Sequence, residues 1–315
     1  MMLARVADSL YWTGRYLERA EHLSRLSDVM LNATLDQSDA GLQAARIALA
    51  ALGDEEGSKT ASPYEAALGL VLNRDDPNSV VSSLARAREN ARQVRDQITT
   101  ETWERLNMLY LRMTGSEAKR AFESGSSAFL HEVIADLHTF KGAADATMSH
   151  GEGWRFLMLG AHLERAQLIA RLLEVGFGEA RTVHATDRIA LMSLLRMACA
   201  LEPYLRAYTA EIEPRHILEF LLFSEDFPRS IRFSTNQMEL HLSKVARHME
   251  SGVGGGHPER LAGRLKARLE FADVEELEAM GASGLLAQVV TECGRIHQAI
   301  YDTFVAYPLE LRLPA

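Results

Sequence analysis

A chain of 315 residues, 47% of them hydrophobic, can bury a sizeable core without disulfides or metal, and its two cysteines, Cys199 and Cys293, stand alone rather than in a CxxC redox or zinc motif. A formal charge of −9 leaves no general basic surface for a phosphate backbone, which argues against nucleic acid as a partner. No charged n-region with an apolar core opens the chain, and its most apolar stretch, 189–205, is broken by Arg196 and Glu202, so the sequence predicts neither a signal peptide nor a membrane span, and isolated thiols fit a reducing, cytoplasmic setting.

Apolar residues recur at three- and four-residue spacing almost throughout, and alternating β-type runs are nearly absent, so the fold class predicted is all-α. The first helix, over 3–35, places Arg19 in the middle of an apolar stripe of Trp12, Tyr16, Leu23, Leu26 and Met30, with Glu18 on another face beside Arg15, His22 and Arg25. Helices at 39–52 and 64–73 flank the turn-forming stretch 53–58. After Asp76-Pro77, a helix over 78–98 presents Arg88, Arg92 and Arg95 at i, i+4, i+7 spacing, with Glu89 and Asn90 between them, and the next, over 101–121, adds Trp103 and Asn107. This run reads either as a solvated face or as a site for an anion or carboxylate.

Beyond a helix over 126–149 and the turn 150–153, the helix over 154–176 carries Glu164 and Arg165, with Arg165 among Met158, His162, Ile169 and Leu172, and Arg171 on the face of Glu164. The remaining helices are placed at 186–210, kinked at Pro203, then 214–224, 228–250, 258–270 and 284–305. Arg229, Ser230 and Arg232 follow Pro228 at a helix start, where free backbone N–H groups favour anions, although both arginines also have Glu225 and Asp226 within reach. The glycine-rich stretch 251–256 lacks a preceding strand and a following Lys-Ser/Thr pair, so it reads as a linker rather than a phosphate cradle.

Aligned on itself, the chain repeats. Leu10 to Val29 matches Phe156 to Val175 without gaps, sharing Gly, Leu, Glu, Arg, Ala, Arg, Leu and Val, and Asp75-Asp-Pro-Asn-Ser79 matches Asp226-Phe-Pro-Arg-Ser230 at almost the same offset. The expectation is two tandem, pseudo-symmetric helical units, 1–150 and 151–315. An arginine inside an apolar stripe has to meet acceptors, so each Glu-Arg pair is expected to satisfy the other across a pseudo-twofold axis, as buried structural ion pairs or as the lining of a central polar site. A metal version of that site is disfavoured. Dimetal bundles use Glu-x-x-His, whereas Glu18 and His22 are four apart and the second copy has Leu168 in place of His22. No nucleophilic triad, P-loop or dinucleotide fingerprint is present, and no cofactor is expected.

The segments Ser9 to His22, Ala87 to Arg92, Thr102 to Asn107, Leu163 to Ala166 and Phe227 to Ser234 together resemble the alpha-E family, a tandem helical domain with a Glu-Arg motif, over nearly the whole chain. The resemblance places Glu18, Arg19, Glu164 and Arg165 at the motif positions. It also implies the company of circularly permuted ATP-grasp ligases, transglutaminase-like proteins and proteasome-like hydrolases in a bacterial peptide synthesis or modification system. The expected role is an accessory subunit that binds a separate ATP-grasp ligase or its peptide substrate. The alternatives are an enzyme using buried Glu18 or Glu164 for acid/base chemistry, and a purely structural scaffold.

Overall fold

A computed structural model describes residues 2–34, 39–51, 62–178, 187–208, 211–247, 257–272 and 282–306. Among these residues there is no strand, and fourteen α-helices follow one another. They are α1 (Ala4–Thr34), α2 (Asp39–Ala51), α3 (Pro63–Leu72), α4 (Val80–Gln93), α5 (Thr100–Thr114), α6 (Ala118–Ser124), α7 (Ser126–Thr147), α8 (Glu152–Phe177), α9 (Arg188–Met197), α10 (Leu201–Ala207), α11 (Pro214–Phe223), α12 (Ile231–Arg247), α13 (His257–Phe271) and α14 (Ala282–Ile300). No helix of the described residues is long and apolar enough to cross a membrane. The stretches 53–58 and 251–256 lie outside the described residues.

Local chemistry sets several helix starts. Ser62 and Glu65 form a reciprocal capping box ahead of Pro63, while Ser79, Thr99 and Asp187 each accept a backbone N–H three residues on. Three boundaries differ from expectation. The helix expected over 78–98 ends at Gln93 and passes into a 3₁₀ turn, and the one over 101–121 breaks at Gly115, a poor helix former in extended backbone. The stretch 186–210 does not kink at Pro203 but divides at Cys199, the one described non-glycine residue with positive φ, at 55°. Pro203 has no N–H to offer the Cys199 carbonyl and its ring crowds that oxygen, so the helix stops there and restarts with Pro203 in the first turn of α10, where a missing donor costs nothing.

Helices α1 and α8 form the centre and cross each other. Around α1 pack α2, α3, α4 and α7, and around α8 pack α2, α12 and α14, so both helices are buried on nearly every face. The crossing is set by two glycines. A Cβ on Gly14 would stand 2.0 Å from the Leu157 carbonyl oxygen, and one on Gly160 would stand 1.9 Å from that of Tyr11. Each glycine thus directs a Cα hydrogen at a carbonyl of the other helix, a contact that only glycine permits. Tyr11 and Gly14 stand in the same relation to each other as Leu157 and Gly160, so the two contacts are reciprocal.

Candidate functional site

One helical turn beyond the glycine contact, the two backbones have diverged enough to admit side chains, and Glu18, Arg19, Glu164 and Arg165 fill that space. The pairing is crossed. Arg19 Nε donates to Glu164 Oε1 at 2.7 Å, and Arg165 donates through Nε and a terminal nitrogen to Glu18 Oε1 and Oε2 at 2.7 and 2.8 Å. Arg15 Nε adds a 2.6 Å bond to Glu164 Oε2 and reaches Gln167 Oε1 at 2.9 Å, with its guanidinium 4.9 Å from the Trp12 ring centroid.

Around Glu18 the set is larger. Lys141 of α7 donates to Glu18 Oε2 at 2.7 Å and also binds Glu21, while Arg229, just ahead of α12, binds Glu21 and approaches Glu18 Oε1 at 3.5 Å. Arg25 donates to Glu21 Oε1 at 2.8 and 3.0 Å, and His138 Nε2 lies 3.1 Å from the same oxygen. The loops ahead of α4 and α12 close the ends: Asn78 Oδ1 accepts from Arg19 at 3.4 Å, and the Pro228 carbonyl accepts from Arg165 at 2.9 Å. Six cationic side chains therefore face three carboxylates, a surplus of three positive charges with histidine neutral.

The carboxylates are the buried partners. Glu18, Glu21 and Glu164 expose 1%, 0% and 3% of their side chains, against 20% for Arg19 and 31% for Lys141. This corrects the expectation for α1, whose glutamate lies deeper than the arginine that follows it. Burial pushes the Glu18 carboxyl up, but Arg165, Lys141 and Arg229 outweigh it and hold the group well below the usual carboxylate range. Glu21 is likewise held down against its burial, chiefly by Lys141 and Arg229, and Glu164 by Arg15 and Arg19. His22, inside the same shell, is pushed down to about 4 by burial and by Arg229, so it stays neutral at pH 7.

Several sequence-selected residues lie elsewhere. Arg171 is exposed and outside the polar core. Arg88 does not share an open face with Arg92: its Nε donates to Asn107 Oδ1 at 2.8 Å and its guanidinium packs 4.6 Å from the Tyr110 centroid and 5.5 Å from that of Trp103, which also receives Arg95 at 4.8 Å. Arg92 turns outward in an exposed pair with Glu89 at 2.8 Å, and Asn90 is half-buried on α4. Arg229 is buried against Glu21 rather than free at a helix start, Ser230 caps α12 by accepting the Phe233 N–H at 2.9 Å, and Arg232 pairs with Glu225 at 3.2 Å. Glu21, Lys141, His138, Gln167 and Asn78 were not selected from the sequence. Glu21 had a signal, since it lies about 60° from Glu18 around the helix and aligns with Gln167 in the repeat. Lys141 and His138 had none, because only the packing of α7 brings them in. Among the described residues, no group of three or more His, Cys, Asp or Glu side chains is placed to hold a metal ion.

This all-helical chain with its Glu-Arg pairs matches a family model, described as a predicted alpha-helical domain with a conserved ER motif, over residues 2–305. The chain belongs to the Alpha-E family. Its Alpha-E sequence is 28% identical over 343 aligned positions to uncharacterized proteins of Mycobacterium bovis and of Mycobacterium tuberculosis strain CDC 1551, and 27% identical to one of M. tuberculosis strain H37Rv. Each alignment takes in 98% of this chain but only 37% of the relative, so the chain spans little more than a third of the length of these curated relatives. No solved structure matches it significantly.

Proposed function

We propose that the chain is a non-catalytic binding subunit of a peptide-forming system, acting beside a separate circularly permuted ATP-grasp ligase and its peptide substrate. The observation that carries this reading is the state of the motif glutamates. A general acid or base works best with a pKa near the working pH and has to reach the proton it moves. Glu18 and Glu164 are instead buried, held ionised and engaged by two or more cations each. That favours a motif that clasps two helices over one that exchanges protons with a substrate.

The duplication is part of the proposal. Units of 1–150 and 151–315 account for reciprocal glycine contacts, crossed ion pairs and two serine-capped helices, α4 and α12, docked on α1 and α8 respectively. A module that fills just over a third of longer relatives leaves their remaining length for other units, as expected of a part that works by association. The test combines the purified chain with the ATP-grasp ligase of its host, measuring complex formation and ATP turnover on candidate peptides with and without the chain. Association with raised turnover is the expected outcome. Absence of both, together with turnover of a peptide or amide by the chain alone that Glu18→Gln abolishes, would establish the enzyme reading instead.

A further inference from the structure

Between the C-terminal half of α1, α7 and the α9–α10 break lies a cavity of about 750 Å³, within the size range of small-ligand sites. It lies directly against the ion-pair cluster. Arg25 and His138, both bound to Glu21 on their inner side, line it on their outer side. The cluster's surplus of positive charge has no carboxylate left to meet it within, since Glu18, Glu21 and Glu164 are already shared among its cations. Its field is therefore felt where Arg25 opens to the cavity.

The α9 side of the cavity repeats that chemistry. Arg196 of α9 lines the cavity, is exposed, and has no ion-pair partner among the described residues. The lining also carries aliphatic surface, from Val29, Ile134 and Ile189, the last 55% exposed. Acids are present as well, which disfavours a bare phosphate. Asp28 is occupied, accepting from Ser127 at 2.7 Å and Asn32 at 3.0 Å and lying 3.0 Å from His131, whereas Glu202 on α10 is exposed at the cavity. Two guanidiniums, an aliphatic surface and one open carboxylate match a zwitterion with an apolar side chain.

We infer that this cavity binds a short peptide through its free carboxylate, taken by Arg25 and Arg196, with its aliphatic side chain against Val29, Ile134 and Ile189 and its ammonium toward Glu202. The inference rests on the reading of the chain as a peptide-binding subunit and names the site and the ligand group.

Cys199 supplies a readout specific to this place. Cys199 lines the cavity and is partly exposed, while the second cysteine, Cys293, is fully buried. Alkylation of the full chain by iodoacetamide, followed by intact mass, reports whether the cavity is filled, and Cys199→Ser identifies the signal. Millimolar glycyl-leucine is expected to slow the reaction, whereas glycyl-leucinamide, which lacks the carboxylate, is not. Arg196→Ser, at an exposed position that does not threaten the fold, is expected to weaken protection about tenfold, the loss of about 1.4 kcal/mol of charged hydrogen bonding, and Arg196→Lys to restore part of it. Equal protection by acid and amide, no protection by either, or protection indifferent to Arg196→Ser would each overturn the assignment. Ligase association, measured on the same preparation, separates the two readings: its survival when protection fails removes the cavity alone.

Discussion

At Glu18 a carboxylate with 1% of its side chain exposed meets Arg165, Lys141 and Arg229, whereas Arg19 keeps 20% of its side chain in solvent and shares Glu164 with Arg15. The two residues of the motif are therefore not equivalent. Removing Glu18 strands the mostly buried Arg165 and unbalances two further cations, which is the costly way to break a buried pair. Glu18→Ala is expected to destabilise the fold by about 3–5 kcal/mol. Arg19→Ala leaves Glu164 its bond from Arg15 and removes a group that water already reaches, so about 1–2 kcal/mol is expected. Arg165→Ala, whose guanidinium holds both oxygens of Glu18, belongs with the larger loss. Urea unfolding of the three variants decides it, and equal midpoints for Glu18→Ala and Arg19→Ala would mean that burial does not rank the pairs. Arg229, which the sequence places at an open helix start, behaves as a core residue, so Arg229→Ser is expected to lower the melting temperature rather than leave it unchanged.

Between elements, the decisive residues have no side chain at all. Gly14→Ala and Gly160→Ala would each drive a methyl group into a backbone carbonyl that cannot rotate away, so both are expected to cost upwards of about 3 kcal/mol or to prevent folding. Gly142, exposed within α7 with nothing near its would-be Cβ, makes the contrast: Gly142→Ala is expected to stabilise by about 0.5–1 kcal/mol. Thermal midpoints moving oppositely in the two kinds of variant check the crossing, and a harmless Gly14→Ala would refute it. These glycines were visible in the sequence only as coincident letters in the self-alignment. Helix positions followed from apolar period, and the need of Arg19 and Arg165 for acceptors followed from their stripes, because both properties are local. The cations that crowd Glu18 and Glu21 did not, since nothing near Lys141 in the chain marks it as a partner of α1. The outward reading of Arg88 failed for a related reason: Trp103, Asn107 and Tyr110 occupy it from α5, a neighbour the helical wheel of α4 does not include.

For the molecule as a whole, the buried histidines and the carboxylates of the clasp lean the same way with pH. His22 and His241 are pushed by burial from an ordinary 6.5 down to about 4, and burial with the nearby Arg165 drives His162 well below its usual value. Both ring nitrogens of His241 and Nδ1 of His162 meet no hydrogen-bonding group among the described residues, so no hydrogen bond there offsets an added proton. Below pH 6.5 the unfolded chain binds protons that the folded one refuses, and stability from these histidines is lost as pH falls from 6.5 through about 4. Glu18, Glu21 and Glu164 act further down. Their folded values lie below the ordinary 4.5, so the stability they give is complete above 4.5 and lost as pH falls through those lower values. The two windows adjoin, so the free energy of unfolding is expected to decline from about pH 6.5 into the acid range without a plateau. Three histidines that stay neutral while their unfolded counterparts charge give a limiting slope of about 4 kcal/mol per pH unit. Urea unfolding followed from neutral pH to about pH 4 measures it, and His241→Gln should take away up to one proton's share of the slope. A stability that stays flat until pH falls below 4.5 would show that these histidines accept protons in the folded state, and that only the carboxylates of the clasp bear the acid response.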